Sequence, residues 1–225
     1  LTPGDFDVVE RVTIDEDGGW VYFLASPDNP AQRFLFRAPL EGEGDMERVT
    51  PDAFAGTNGY QVSADAKWAI HTHSSFLSPP AYALITLPDH TVHHTLEDNA
   101  ALRAKIASLG IEAPEFFSVA ARDGLRLDGY LLKPADFDPR KVYPLIHFVY
   151  GEPAGSTVRD QWQRNLGMWH LLMTEQGFLI SSIDNRGTRT PRGRDWRRSV
   201  YGAIGILGSR DQSDALAAMC EQRSY

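Results

Sequence analysis

The chain lacks several things, and each absence removes a class of protein. It has one cysteine in 225 residues, Cys220, so no internal disulfide is available and the compartment stays open. Cys220 lies in a helical-looking run and is expected to be buried as a small apolar residue. Bases are few, 22 against 30 acids, and a net charge of −8 speaks against general nucleic-acid binding. Every apolar run is shorter than ten residues, too short to cross a bilayer, so no membrane segment is expected. Chemical signatures are missing as well. No serine has glycine both two before and two after it, so there is no Gly-x-Ser-x-Gly nucleophile elbow. Neither GxGxxG nor GxxxxGK[ST] occurs, and no cofactor is implied. The chain opens on Leu1 without a basic and apolar leader pattern, which reads as a start cut from a longer chain.

What remains is ample for a folded core. Hydrophobic residues make up 42% and charged residues 23%, and glycine plus proline total 33, so disorder and collagen-like repeats are excluded. The charge is uneven. Residues 1–110 carry 16 acids and 7 bases, and residues 111–225 carry 14 and 15, a shift that suits two domains.

The first hundred residues read as short strands. Asp7–Ile14, Trp20–Ser26, Phe34–Pro39 and Glu47–Thr50 alternate apolar and polar residues, punctuated by Asp17-Gly18-Gly19, Pro27-Asp28-Asn29 and Glu43-Gly44-Asp45. A second set follows at Gly59–Val62, Trp68–His73, Ala81–Thr86 and Val92–Leu96. Four strands in about 40–45 residues is the size of a propeller blade, and two blades cannot close a ring. The period then changes. Leu96–Leu109 is rich in helix formers and ends at Gly110, as a linker helix would.

From Pro114 the pattern becomes α/β. Phe116–Ala121 and Leu127–Leu132 flank the turn Arg122-Asp123-Gly124. Pro144–Tyr150 and Phe178–Ile183 are continuous apolar runs, expected to be strands buried on both faces. Between them, Asp160–Gln176 places Trp162, Leu166, Trp169, Leu172 and Met173 on one helical face, closed by Gly177. Gln212–Glu221 is helical, with Leu216, Met219 and Cys220 toward its buried side. This alternation predicts a mostly parallel sheet.

Three groups of residues could carry chemistry. Tyr150 ends a buried strand and precedes a Gly/Pro loop, the place where open α/β sheets build ligand sites. Its phenol could donate to an oxyanion, or it could cap the strand on a backbone carbonyl. Six arginines lie between Arg186 and Arg198; they suit phosphate, or they form a structural loop paired with Asp184 and Asp195. His71 and His73 share a strand face while His93 and His94 face opposite ways. No HExxH-type spacing or neighbouring cysteine completes a metal site around them.

Four ordered motifs resemble the dipeptidyl peptidase IV branch of the prolyl oligopeptidase family of serine peptidases. Leu96-Glu-Asp-Asn-Ala-Ala-Leu102 is similar to its propeller-to-hydrolase junction, and Tyr143-Pro-Leu-Ile through Val149-Tyr150-Gly-Glu-Pro to its oxyanion-tyrosine loop. Asp184-Asn-Arg-Gly-Thr through Arg192-Gly-Arg-Asp195 resembles its DxRG strand end. Gly208-Ser-Arg-Asp211-Gln-Ser-Asp-Ala215 resembles the helix start before its nucleophile strand.

The resemblance implies the C-terminal part of a β-propeller, about two blades over residues 1–98. A linker helix over 99–113 would follow, and then the N-terminal half of an α/β-hydrolase domain over 114–225, ending before the nucleophile elbow. It implies a parent that releases N-terminal dipeptides, X-Pro or X-Ala, by acyl transfer from a peptide with a free N-terminus. Tyr150 carries over as the oxyanion donor. The nucleophilic serine, the acid and the histidine do not fall in this chain, so the piece alone is expected to be inactive. A homodimeric parent fits the same resemblance. Two rival readings stay open: a non-catalytic homologue acting as a binding module, and a related acylaminoacyl peptidase or esterase.

Overall fold

Asp17-Gly18-Gly19 shows how the local sequence shapes the first sheet. The carboxylate of Asp15 accepts from the Gly18 amide at 2.9 Å. Gly19 then takes a φ of 75°, a left-handed turn that glycine enters without strain. A computed structural model describes residues 6–41 and 44–225. In it β1 (Val8–Asp15), β2 (Trp20–Ala25), β3 (Phe34–Pro39) and β4 (Glu47–Arg48) pair antiparallel in chain order. The expected turn at Glu43-Gly44-Asp45 begins on Glu43, which lies outside the described residues.

A second antiparallel sheet repeats that order with β5 (Thr57–Val62), β6 (Trp68–Ser75), β7 (Ser78–Thr86) and β8 (Val92–Glu97). Successive side chains of a strand face opposite ways, and β2 buries both of its faces. Tyr22 and Leu24 join Leu35, Ala69, Ile85 and Leu87 in one cluster, which ties the two sheets together. Phe23 and Ala25 join Phe34, Phe36 and Ala38 in another.

Contacts divide the chain into two units. The first is Leu1–Ala104 with the short segments Arg159–Trp162 and Pro191–Gly193; the second is Lys105–Val158, Gln163–Thr190 and Arg194–Tyr225. Asp160 explains why a segment so late in the chain belongs to the first unit. Its carboxylate accepts from Gln32 Nε2 and from the Phe76 amide, both at 2.9 Å. Its own amide donates to the Ala31 carbonyl at 2.9 Å, and Thr57 Oγ1 donates to its carbonyl at 2.9 Å.

Later in the chain, α1 (Ala100–Ala107) leads through Gly110, at φ 67°, to the hairpin of β9 (Glu115–Ala120) and β10 (Arg126–Leu132). Then come β11 (Leu145–Phe148), α2 (Arg164–Glu175), β12 (Leu179–Ile183), α3 (Gly193–Arg198) and α4 (Ile204–Glu221). The sheet order is β11-β12-β10-β9. Val119, Leu127 and Ile183 pack with Trp196, Ala215 and Met219. No helix among the described residues is long and apolar enough to cross a membrane.

Four expectations need correction. Only β11 and β12 run parallel, because the β9–β10 hairpin and the β10–β12 pairing are antiparallel. β12 is fully buried, as expected, whereas β11 is half-buried throughout because it ends the order of this sheet. In α2, which starts at Arg164 and so leaves Trp162 outside, most of the expected apolar face is open: Leu166, Trp169 and Leu172 are exposed and Met173 is half-buried, while Gly167, His170, Leu171 and Thr174 pack toward β12 and β10. In α4, Met219 is buried and Leu216 half-buried, but Cys220 is exposed, since Asp211, Gln212 and Asp214 take the inner positions instead.

Candidate active site at Tyr150

β11 is short, and the chain leaves it through Val149 and Tyr150 into a loop whose turn suits glycine: Gly151 has φ 78°. Tyr150 is 45% exposed. Its ring lies against Gly155, where a Cβ would come within 3.0 Å of Tyr150 Cε1, so the absence of a side chain there makes room for the ring. Among the described residues the Tyr150 hydroxyl has no hydrogen-bond partner, which removes the strand-capping alternative. Val149, Tyr150, Glu152, Asn185, Ser209 and Gln212 line a cavity of about 500 Å³ in this second unit.

The floor of the site is the end of β12. Asp184 is buried and accepts from the amides of Thr157 and Val158 at 2.8 and 3.2 Å and from Thr190 Oγ1 at 2.9 Å. Burial pushes its carboxyl up, against the pull of those donors. It therefore holds the 157–158 stretch of the loop in place, its partners being amides and hydroxyls rather than the arginines.

Arg186 turns the other way. Its guanidinium grips Asp211, which is fully buried, through Nε at 2.8 Å and Nη2 at 2.8 Å, and it reaches Asp123 at 2.6 Å. The Asp211 bond raises the guanidinium's pKa above its ordinary value. The expected partners, Asp184 and Asp195, are thus replaced by aspartates 25 and 63 residues away. That distance is why the sequence could not point to them.

Sequence reading also missed a buried chain of polar groups behind Tyr150. Asn185 Nδ2 donates to the Gly151 carbonyl at 3.2 Å and to the Arg186 carbonyl at 2.9 Å. Gln212 Nε2 donates to Asn185 Oδ1 at 2.9 Å and to the Ile183 carbonyl at 2.7 Å. His147 sits within 2.9 Å of Gln212 Oε1 and 2.7 Å of Ser181 Oγ. The one available signal was a histidine inside the apolar run of β11, since a polar group there needs partners. Ser181 and His147 have the spacing of a nucleophile and its base, yet Ser181 is 0% exposed and cannot meet a substrate. Ser209, at the cavity wall, donates back to the Gly205 carbonyl at 2.7 Å, a bond within its own helix.

The histidines weighed as ligands lie in the first unit and do other work. His71 Nε2 meets Asn58 Oδ1 at 2.7 Å and stacks on Tyr60 with ring centroids 4.8 Å apart. His73 meets the Ala55 carbonyl at 2.8 Å, and His93 lies 5.0 Å from the Trp68 ring.

Comparison with known proteins gives this arrangement a context. Residues 1–80 match the family model described as the dipeptidyl peptidase IV N-terminal region. A protein of Aspergillus clavatus named "Probable dipeptidyl-aminopeptidase B" is 29% identical over 227 residues, covering all of this chain and 24% of that protein. A counterpart of the same name from Botryotinia fuckeliana is 29% identical over 219 residues, covering 94% of this chain and 23% of its own. The crystal structure of Porphyromonas gingivalis dipeptidyl peptidase 4 superimposes with a TM-score of 0.87 at 27% identity, over 98% of this chain and 30% of that one. The chain thus spans about a quarter of the length of these curated relatives. Along its whole length, by sequence and by fold, it resembles the dipeptidyl peptidase IV branch of the prolyl oligopeptidase family.

Proposed function

We propose that this chain is a segment of a serine-type dipeptidyl peptidase and that Tyr150 is its oxyanion donor. Residues 1–98 form the last blades of a propeller, 99–113 a linker, and 114–225 the first part of an α/β-hydrolase domain. The whole protein removes X-Pro or X-Ala dipeptides from the free N-termini of peptides. A serine, an acid and a histidine supplied elsewhere in that protein carry out the acyl transfer.

The observation that carries this reading is the unpartnered Tyr150 phenol at the rim of a cavity beside the parallel strand pair. Attack on a peptide carbonyl turns its oxygen into an oxyanion. A neutral carbonyl gains little from a phenol, whereas the oxyanion gains a donor already in place. Tyr150 therefore acts on the transition state more than on substrate binding.

In the full-length protein, Tyr150→Phe is expected to lower kcat by roughly 10²–10³-fold, about 3–4 kcal/mol, with KM little changed. Phe keeps the ring on Gly155, so the melting temperature should hold. Unchanged kcat in a stable variant would remove Tyr150 from the mechanism. The 225-residue chain alone is expected to show no hydrolysis of a dipeptidyl p-nitroanilide above buffer, and turnover that persists through rigorous purification would overturn the assignment of the nucleophile to the longer protein.

A further inference from the structure

We propose that Asn185, Gln212 and His147 form a one-way hydrogen-bond relay that positions the Tyr150 loop, an inference that rests on reading Tyr150 as the oxyanion donor. The direction of the relay follows from its end points. Asn185 faces two backbone carbonyls, those of Gly151 and Arg186, and carbonyls only accept. Its amide nitrogen must therefore point at them, which turns Oδ1 toward Gln212. Gln212 in turn faces two acceptors, Asn185 Oδ1 and the Ile183 carbonyl, so its amide nitrogen lies there and its Oε1 faces His147. His147 then donates from Nε2, and its bare Nδ1 accepts from the Ser181 hydroxyl. Each group has one orientation that satisfies its neighbours.

The relay ends on the carbonyl that follows Tyr150. Gly151, in its left-handed conformation, brings no side chain that could hold the loop. Asn185, itself buried, reaches its carbonyl from the end of β12. The fit extends to α4. A Cβ on Gly208 would stand 3.1 Å from Asn185 Nδ2 and 3.7 Å from the Gly151 carbonyl, so the bare helix position leaves space for this bond. These three are positioning residues. None is required to touch the substrate; they set where the phenol stands when the oxyanion forms.

The test is a double-mutant cycle on kcat and KM in the full-length peptidase. Asn185→Ala is expected to lower kcat by about tenfold to a hundredfold through misplacement of the loop, with KM within about twofold. In a Tyr150→Phe background the same substitution should change kcat less than about twofold, because nothing remains to be positioned. Gln212→Met keeps the bulk of the side chain and should give the same pattern with a smaller loss, and it serves if Asn185→Ala folds poorly. Equal losses in both backgrounds would overturn the relay, as would a lower melting temperature with unchanged kcat per folded molecule. A kcat damaged by Tyr150→Phe but untouched by Asn185→Ala and Gln212→Met would sink the relay alone. If Tyr150→Phe itself leaves kcat unchanged, the reading of Tyr150 fails and the relay falls with it.

Discussion

His71 shows how burial changes a residue's chemistry. Its pKa is lowered to about 3, first by burial and then by the neighbouring His90 and His73. In the unfolded chain it titrates near the ordinary value of about 6.5. Above that pH both states are neutral and the titration of His71 does not change stability. Below it the unfolded chain binds a proton that the native state refuses, so stability falls as pH drops from about 6.5 toward 3, by up to about 1.4 kcal/mol per pH unit. His147 and His170 are lowered by burial as well, so the slope should be shared. Asn58 Nδ2 is committed to the carbonyls of Arg33 and Phe54, which leaves its Oδ1 to accept from His71. His71→Gln keeps such a donor and cannot titrate. Chemical denaturation across pH 4–7 should show a shallower loss for that variant than for the wild type; parallel curves would mean that His71 does not contribute. Of these residue-scale facts, sequence reading reached only the presence of the histidines. Their partners, Asn58 13 residues away and Gln212 65 away, come from pairing across strands and helices.

α2 teaches the corresponding lesson for an element. Its helical period was legible from the spacing of apolar residues, and so was its stop at Gly177, which has φ 85°. Which side goes inward was not legible. The inner positions 167, 170, 171 and 174 follow the same helical spacing as the apolar ones, but two of them are Gly167 and Thr174, which carry little hydrophobic signal. Leu171 supplies the apolar contact. Leu171→Ala is therefore expected to cost about 2–5 kcal/mol in urea denaturation, whereas Leu172→Lys should cost less than about 0.5 kcal/mol. The reverse ranking would show that the outer stripe is the packed one. The strands of the first two sheets, by contrast, match their sequence pattern to within a few residues. Alternation and Asp-Gly turns act over neighbouring residues and need no distant partner.

For the whole molecule, the informative residue is Asp160. It lies in the stretch between β11 and α2, yet its hydrogen bonds go to Ala31, Gln32, Thr57 and Phe76 of the first unit. Asp160→Ala would leave the Phe76 amide and the Gln32 amide without their acceptor, and loss of a charged acceptor is expected to cost about 1.5–3 kcal/mol. Asp160→Asn should recover part of it. Thermal melts followed by a probe of the first unit would check this, and no difference between wild type and Asp160→Ala would show that the anchor contributes nothing. By itself the sequence determined most strands and turns, the cores of α1, α2 and α4 and the family-like motifs, because these are written in spacing over a few residues; α3 and the first two turns of α4 were not legible in it. Only the tertiary structure decided the burial of α2, the partners of Arg186, the relay behind Tyr150 and the attachment of Asp160. Each of those depends on groups tens of residues apart being brought together by the fold, and wherever such a polar atom is buried a partner must be found.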